Sequence, residues 1–368
     1  MKHKKWWLIA AGVVVVLGIF FIWGAVTHSR STYYEAFKQA LDDKNAKEMT
    51  QLLTTSDTAL KIDEAGCQAF IDYLTNNPED RTQFLKNLKK ETEADQTIYS
   101  NEFPYTLVKD GHDMLFFPHY ALSIKPMYFT VTTDADKVSL SANKKEIPYL
   151  KKTDRYGPLM PGEYDVDATL ACSIDVPIVH EKNQQLVREN QNLDLQVGDV
   201  LAEDKSFQKD LGNTADKCMT EYAQFMGGGL DETKLVTGTD DYRETSAEGK
   251  ELILPFVTKI DMAYQEIQIN NDSIKVEKKL DDWEASMDAN IKMQGNIAFS
   301  VEDQSASSEL EINGVHELIF IYDTKQDKWL LDSAEETYSD TSGGDNINKI
   351  AHENPQNYEW TNNGEADF

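Results

Sequence analysis

The sequence predicts a multidomain α+β protein with one N-terminal transmembrane helix, followed by a helical bundle, a small β-sandwich and an α+β cone domain. Three observations lead to this prediction. Residues 6–26 form an unbroken apolar run. Apolar residues after it recur at helical spacing and then, near residue 98, with a period of two. A second block, in which helices precede long strands, ends the chain in the order typical of α+β folds.

The apolar run contains no charged or amide side chain. A helix of about 21 residues, rising about 1.5 Å per residue, crosses a hydrocarbon core about 30 Å thick. Lys2, Lys4 and Lys5 precede it, so we expect residues 1–5 to be a cytosolic tail and the chain after the helix to be extracytoplasmic. A cleaved signal peptide is the alternative, but its apolar region is normally only about 7–15 residues long. The sequence therefore predicts a single-pass protein of the cell membrane with a cytoplasmic N-terminus.

The composition narrows the class of partner. With 64 acidic and 36 basic residues, the formal net charge at pH 7 is −28. This charge argues against nucleic acid as a partner and against simple electrostatic adhesion to anionic lipid or wall polyanions. It favours basic partners, cation-bridged contacts or recognition of neutral groups. A solvated acidic surface that only aids solubility remains the alternative.

The three cysteines, Cys67, Cys172 and Cys218, cannot all pair within one chain. Such sparse usage is typical of a bacterial surface protein, because extracytoplasmic eukaryotic domains of this size usually carry more disulfides. Cys67 and Cys218 lie on apolar helical stripes, where we expect them to be buried and unreactive. The seven histidines are scattered without metal-ligand spacing, so no metal and no cofactor is predicted.

Residues 31–96 are predicted to form the helical domain. Behind an N-cap at Asp63, apolar residues follow i, i+3, i+4, i+7 spacing; they are Cys67, Phe70, Ile71 and Leu74. Asn77-Pro78 ends this helix and begins another. Residues 98–180 are predicted to form a β-sandwich-like domain, with the turn of its first hairpin at Asp110-Gly111. The polar residues 181–204 are predicted to be a linker.

Residues 205–338 are predicted to form the α+β cone domain. Gly227-Gly228-Gly229 is interpreted as the end of its long helix, because no Lys-Ser/Thr follows as a phosphate loop would require. Residues 339–368 contain many Asn, Asp, Glu and Gly and few aliphatic residues, so a disordered acidic tail is predicted.

The interior of the cone domain is the candidate site. Folds of this shape can enclose an apolar pocket in which an Asp has a shifted pKa and a Tyr donates a hydrogen bond. Tyr222, Asp261 and Tyr264 are the predicted ligand-pocket residues. The alternative is that all three have structural or surface roles, and no catalytic residue is predicted.

Several motifs resemble those of a known family. The helical part contains Tyr34-Glu35-Ala36-Phe37 and Phe70-Ile71-Asp72-Tyr73-Leu74, and the β part contains Leu115-Phe116-Phe117-Pro118-His119-Tyr120 before Ile124-Lys125-Pro126-Met127-Tyr128. Together with the turn Pro161-Gly162-Glu163-Tyr164, these resemble the TcaA-type, YvbJ-like membrane proteins of Gram-positive bacteria, which are associated with teicoplanin resistance. The block after Lys205 is similar to the NTF2-like domain that ends such proteins. Many members begin with a cytosolic Cys-x-x-Cys zinc ribbon, for which residues 1–5 have neither room nor cysteine, so we expect it to be absent.

The resemblance implies a role at the cell envelope, in the response to wall-active antibiotics or in surface assembly, and it supplies no established catalytic residue. We therefore predict a membrane-anchored binding or scaffold protein linked to cell-wall stress, and not an enzyme. Its expected partners are other envelope or membrane proteins and wall precursors. One alternative is an envelope enzyme or small-ligand binder that uses the cone pocket. The other alternative is a sensor. With only five cytosolic residues, such a sensor would have to signal through the transmembrane helix of a partner protein.

Overall fold

A computed structural model describes residues 2–94, 103, 105–113, 117–280, 282–301, 304–337 and 346–362. The chain forms two compact units. The first unit comprises Met1–Thr132, Val138–Thr169 and Ile178–Asp194, and the second comprises Thr133–Lys137, Leu170–Pro177 and Leu195–Phe368.

Helix α1, Lys2–Thr27, opens the first unit and contains the apolar run of the sequence. Over residues 13–27 nearly every side chain is exposed, and Gly24 is the one buried residue of that stretch. Among the described residues, no single helix passes a length-and-hydropathy test for a membrane span, whereas Val13–Thr27 and Arg30–Asp42, bent by 47°, pass it as a pair. The predicted single transmembrane helix therefore stays a prediction.

Four helices and three strands follow α1 in the first unit. They are α2 (Arg30–Asp42), α3 (Ala46–Leu52), β1 (Leu53–Thr54), α4 (Glu64–Asn76), α5 (Pro78–Glu93), β2 (Tyr105–Asp113) and β3 (Phe117–Ile124). The strands form a sheet in the order β1-β3-β2, with β2 and β3 antiparallel. The caps follow the sequence prediction, because Asp63 accepts the main-chain N–H of Gly66 at 2.9 Å and Pro78 begins α5.

The helices and the β2–β3 hairpin share one hydrophobic core, so the predicted domain boundary between residues 96 and 98 was wrong. The ring of Phe84 on α5 lies 5.5 Å from that of Phe37 on α2 and 4.6 Å from that of Tyr105 on β2, centroid to centroid. Leu122 and Ile124 of β3 belong to the same buried cluster. A two-stranded hairpin has too little apolar surface to be stable alone, and it packs against the helices instead. The change of period marks a change of element within one domain.

The predicted hairpin turn at Asp110-Gly111 was also wrong. Both residues lie inside β2, where the pairing with β3 shifts register between Lys109 and His112. Gly111 has φ +87°, which fits a β-bulge, another structure that favours Asp-Gly. The connection itself, residues 114–116, lies outside the described residues.

Eight strands and two four-stranded sheets follow. The strands are β4 (Met127–Thr132), β5 (Lys137–Ala142), β6 (Lys145–Glu146), β7 (Tyr149–Leu150), β8 (Arg155–Leu159), β9 (Gly162–Ala171), β10 (Val179–Leu186) and β11 (Gln191–Asp194). Their orders are β10-β9-β5-β6 and β11-β4-β8-β7. The prediction of a linker at residues 181–204 was wrong, because this stretch contains most of β10, all of β11 and a helix. Its Gln- and Asn-rich strands pair through their main chains at sheet edges, which polar composition does not reveal.

The second unit packs helices against one large antiparallel sheet. Its helices are α6 (Val197–Glu203), α7 (Lys205–Met226), α8 (Asp240–Ser246) and α9 (Lys250–Ile253), and its strands are β12 (Val257–Asn270), β13 (Lys275–Lys279), β14 (Asp282–Val301), β15 (Gln304–Asp323), β16 (Lys328–Glu336), β17 (Ile347–Ala351) and β18 (Asn357–Thr361). The sheet order is β16-β15-β14-β12-β17, while β13 pairs with β14 and β18 with β12. The apolar stripe of α7, which includes Cys218, is buried against the sheet, and the burial predicted for Cys67 and Cys218 is confirmed.

The prediction of a disordered tail at residues 339–368 was wrong where the structure describes it. Strands β17 and β18 both pair antiparallel with β12. A Cβ at Gly227 would overlap the main chain of Tyr358, and a Cβ at Gly229 would overlap the ring of Trp360, so the glycines that end α7 make room for β18. Main-chain pairing at a sheet edge and the packing of the Trp360 ring suffice to dock a segment that is poor in aliphatic residues. The amino-acid composition shows only that the segment has few aliphatic residues, and it does not show the main-chain pairing that docks the segment.

Candidate functional site

The second unit has a half-open cavity of about 510 Å³ between its helices and the face of its sheet. Its apolar lining consists of Met219, Ile291, Met293, Ile312 and Ala334. The polar lining consists of Tyr222, Asp241, Tyr242, Thr245, Ser246, His316, Asp332, Ser333 and Glu335.

Helix α7 positions one wall of the cavity through a buried carboxylate. Glu221 is 7% exposed and accepts two hydrogen bonds from Thr237, from the main-chain N–H at 2.7 Å and from the hydroxyl at 2.8 Å. The carbonyl of Thr237 in turn accepts the N–H of Leu331 on β16 at 2.9 Å. These bonds fix the segment before α8 to both α7 and β16. Tyr222, next to Glu221 in the chain, is thereby held beside the cavity.

Thr239 connects helix α8 to the opposite wall. Its hydroxyl oxygen accepts the N–H of Tyr242 at 3.0 Å and so caps α8. The same hydroxyl donates to Asp332 Oδ1 on β16 at 2.8 Å. One side chain therefore joins the first turn of α8, which carries Tyr242, to the Asp332 carboxylate on β16.

The sheet supplies an apolar floor. Ile291 and Met293 are two residues apart on β14, so they project from the same face, and both are buried. Ile312 on β15 lies opposite Met293 in the strand register. His316, farther along β15, has its Nδ1 atom 3.1 Å from the carbonyl oxygen of Gly314.

The lining is acidic. Asp241, Asp332 and Glu335 face the cavity, while its lining contains no Lys and no Arg. No ion pair joins any of these three carboxylates to another residue that the structure describes. Burial raises the pKa of Tyr222 and of Tyr242, so both phenols keep their protons at neutral pH and can donate hydrogen bonds. The cavity therefore combines an apolar floor, two phenols and uncompensated negative charge.

The structure does not bring the three predicted pocket residues together. Tyr222 lines the cavity. Asp261 on β12 accepts from the amide of Asn296 at 3.2 Å, and Tyr264 donates to Asp216 Oδ1 on α7 at 2.8 Å, where burial raises the pKa of the phenol. Asp261 and Tyr264 are three residues apart on one strand, so they project from opposite faces of the sheet and cannot share a pocket. Whether Tyr222 binds a ligand stays a prediction.

Sequence reasoning missed Tyr242, Asp332 and the other two carboxylates of the cavity. They come from α8 and β16, which are close in space only because β16 lies at one end of the sheet order, beside α8. No local pattern reports such a distant pairing. Among the described residues, no cluster of His, Cys, Asp and Glu is arranged to hold a metal ion.

A helix-backed antiparallel sheet with a cavity between the layers defines the NTF2-like class of domain, here placed at the end of a modular chain. Residues 211–335 match the family model for the YvbJ NTF2-like domain, and residues 32–124 match that for the TcaA protein second domain. The match over residues 32–124 ends where β3 ends, which agrees with the hydrophobic core that the helices share with the β2–β3 hairpin.

A similar protein over nearly the whole length is the "Uncharacterized membrane protein YvbJ" of Bacillus subtilis (strain 168). It is 23% identical over 428 aligned positions, which cover 96% of this chain and 68% of that protein. The chain thus belongs to the TcaA/YvbJ-type family, and the resemblance seen in its motifs is confirmed.

Proposed function

We propose that this protein is a membrane-associated binding protein of the bacterial cell envelope whose NTF2-like unit takes a small ligand into its cavity. The similarity to a membrane protein over 96% of the chain supports the membrane association. The resemblance to TcaA-type proteins supports a link to cell-wall stress, with other envelope proteins and wall precursors as partners.

Helix α1 is the proposed anchor, with the N-terminus in the cytoplasm. It spans Lys2–Thr27, and over residues 13–26 most of its large apolar side chains are exposed. A helix that is apolar all round is stable when lipid surrounds it. The three lysines before the apolar run favour a cytoplasmic N-terminus.

The cavity is the observation that carries the binding function. Its volume of about 510 Å³ is in the range of small-molecule sites, and the mixture of an apolar floor with a few polar groups is typical of them. The three carboxylates favour a positive charge on the ligand, while Met293 and its apolar neighbours favour a hydrocarbon body. The ligand class that fits is therefore an amphipathic cation, bound without turnover.

The proposal is tested by isothermal titration calorimetry on the full chain in nanodiscs of zwitterionic lipid. Phenylbutylammonium, phenylbutanol and phenylbutanoate share a hydrocarbon body and differ in charge. Empty nanodiscs correct for partitioning into lipid. We expect affinity to fall from the cation to the alcohol to the anion. Equal affinity for all three would contradict the assignment of charge, binding of none would contradict the cavity as a site, and chemical conversion of a bound compound would favour an enzyme.

The Asp332→Asn variant makes the test specific. An asparagine oxygen can still accept from Thr239, so the wall stays in place while one negative charge is lost. At an effective dielectric constant of about 20, two unit charges about 6 Å apart attract each other by about 3 kcal/mol. Screening by salt reduces this attraction to roughly 1–1.5 kcal/mol. We expect about 5- to 10-fold weaker binding of the cation and unchanged binding of the alcohol. Asp210→Asn, an exposed acid on α7 outside the cavity lining, is the matched control.

Anchoring and envelope role have their own test. A cysteine placed at the exposed Thr58 should react with a membrane-impermeant maleimide on intact cells if the chain after α1 is extracytoplasmic. Cross-linking on the same cells, followed by mass spectrometry, should capture wall-synthesis or envelope-stress proteins. Labelling only after lysis would contradict the orientation, and capture of nothing beyond abundant neighbours would contradict the scaffold role.

A further inference from the structure

His316 is the one residue of the described cavity lining whose side chain can become positively charged. It is half-buried and lies four residues after Ile312 on β15, so the two side chains project from the same face of the sheet and both line the cavity. In the strand register it lies opposite Ala289 of β14 and Glu336 of β16. The imidazole therefore belongs to the wall of a site whose other charged groups are carboxylates.

The titratable groups that face this imidazole come from three elements. They are Tyr222 on α7, Asp241 and Tyr242 on α8, and Asp332, Glu335 and Glu336 on β16. Burial raises the pKa of both tyrosines, so their phenols stay neutral. Carboxylic acids ordinarily ionise at about pH 4 and histidine at about pH 6.5. Between about pH 8 and about pH 5.5, the charge of the cavity therefore changes at His316.

The main chain selects the neutral form of the ring. Nδ1 of His316 lies 3.1 Å from the carbonyl oxygen of Gly314, which can only accept a hydrogen bond. Nδ1 therefore carries the proton of the neutral imidazole, and Nε2 is the atom that takes up a second proton. Because Nδ1 remains a donor after this uptake, the ring can gain a positive charge without turning.

We infer that His316 sets the charge preference of the cavity, which accepts a cationic ligand while the imidazole is neutral and releases it when the imidazole is protonated. This inference rests on the proposed function and adds to it a release step that acid drives. Three carboxylates of the lining favour a cation while His316 is neutral. A proton on Nε2 adds a charge that repels the ligand and offsets these carboxylates. A neutral ligand of the same shape is subject to neither effect.

Calorimetry at two pH values tests this inference on the full chain in nanodiscs of zwitterionic lipid. Phenylbutylammonium and phenylbutanol are the probes, and both keep their charge between about pH 7.8 and about pH 5.5, where a histidine ordinarily changes its own. A unit charge added about 6 Å from the bound ammonium and screened by salt changes affinity about 5- to 10-fold. We expect affinity for the cation to fall by this factor at the lower pH and affinity for the alcohol to stay constant.

Two histidine variants locate the effect. His316→Asn places an amide N–H where Nδ1 was, so it can still donate to the carbonyl of Gly314, but it cannot take up a proton. Its affinity for the cation should be equal at the two pH values. His180→Asn is the matched control, because His180 is exposed on the first unit beside Asp167 and outside the cavity lining. This control should retain the full pH dependence.

Proton release on binding is a second measurement, and it needs no variant. Since the cation and the second proton of His316 exclude each other, binding of one should displace the other. At about pH 6.5, heats of binding measured in two buffers with different heats of ionisation should therefore differ for the unmodified protein. They should differ likewise for His180→Asn and agree with each other for His316→Asn.

The outcomes separate this inference from the proposed function. Absence of cation binding at the higher pH would contradict the proposed function itself. Equal cation binding at both pH values, or a pH dependence that persists in His316→Asn, would overturn only the role of His316. An equal loss of the alcohol at the lower pH would also overturn that role, because a neutral probe does not respond to the charge of the imidazole.

Discussion

Gly229 follows helix α7 and supports the C-terminal strand, so its replacement by alanine tests whether that strand is part of the NTF2-like unit. Its φ of +73° is in the left-handed region, and an added Cβ would lie 2.7 Å from Nε1 of Trp360. Gly249 is a matched control with φ +80° and nothing within 4 Å of an added Cβ. Both variants share the backbone strain, and only Gly229→Ala disturbs the Trp360 ring.

The two effects can be separated by size. Left-handed backbone at a non-glycine residue costs about 1–2 kcal/mol, which applies to both variants. Overpacking against the Trp360 ring adds about 1–3 kcal/mol in Gly229→Ala. If this additional cost destabilises the docked state of β18, the population of the open strand rises about 5- to 140-fold, since each 1.4 kcal/mol is a factor of ten.

Hydrogen–deuterium exchange of the full chain, read by mass spectrometry, measures this opening. We expect peptides covering residues 357–362 to be protected in the unmodified protein, to exchange faster in Gly229→Ala by that factor, and to be unchanged in Gly249→Ala. The reasoning is refuted if these peptides exchange at the unprotected rate in all three proteins, or if the two variants behave alike.

Three further predictions concern buried groups. Burial raises the pKa of Glu91, so its protonated carboxyl stabilises the fold below the unfolded pKa, and this contribution is lost as pH rises through the folded pKa. Glu91→Gln removes the buried negative charge that is present at higher pH. The variant should therefore raise the melting temperature more at about pH 7 than at about pH 4. Glu221→Gln should lower the unfolding free energy of the second unit by about 1.5–3 kcal/mol, measured by urea titration, because a charge-assisted hydrogen bond is lost. Burial raises the pKa of Cys67 to about 12, so iodoacetamide should modify the half-buried Cys172 first, and mass spectrometry that finds Cys67 modified earlier in the folded protein would contradict this order.

Local patterns predicted local structure well. The apolar face behind Asp63 is helix α4, Pro78 begins α5, and Cys67 is buried as its stripe required. Each of these depends on residues within a few positions of one another, where spacing and backbone chemistry decide the outcome. The family could likewise be recognised from short motifs.

Features that depend on distant pairing could not be predicted in this way. The β2–β3 hairpin packs on the helical core because its apolar face needs another apolar surface to cover it. In the sequence, the period of two indicated only a change to strands, which was interpreted as the start of a new domain. The tail docks through main-chain pairing with β12, which side-chain composition does not encode. In the cavity, Tyr222 was predicted, whereas Tyr242 and Asp332 converge with it only through the sheet order and the bonds of Thr239.

The central claim is that the cavity of the NTF2-like unit binds an amphipathic cation, and methyl NMR of the full chain tests it most directly. The sequence has ten methionines, of which Met219 and Met293 line the cavity. With carbon-13 in the methionine methyl groups, titration with phenylbutylammonium should shift the signals of these two, while Met127 and Met160 of the first unit stay in place. Shifts confined to other methionines, or none at ligand concentrations that saturate calorimetric binding, would contradict the claim.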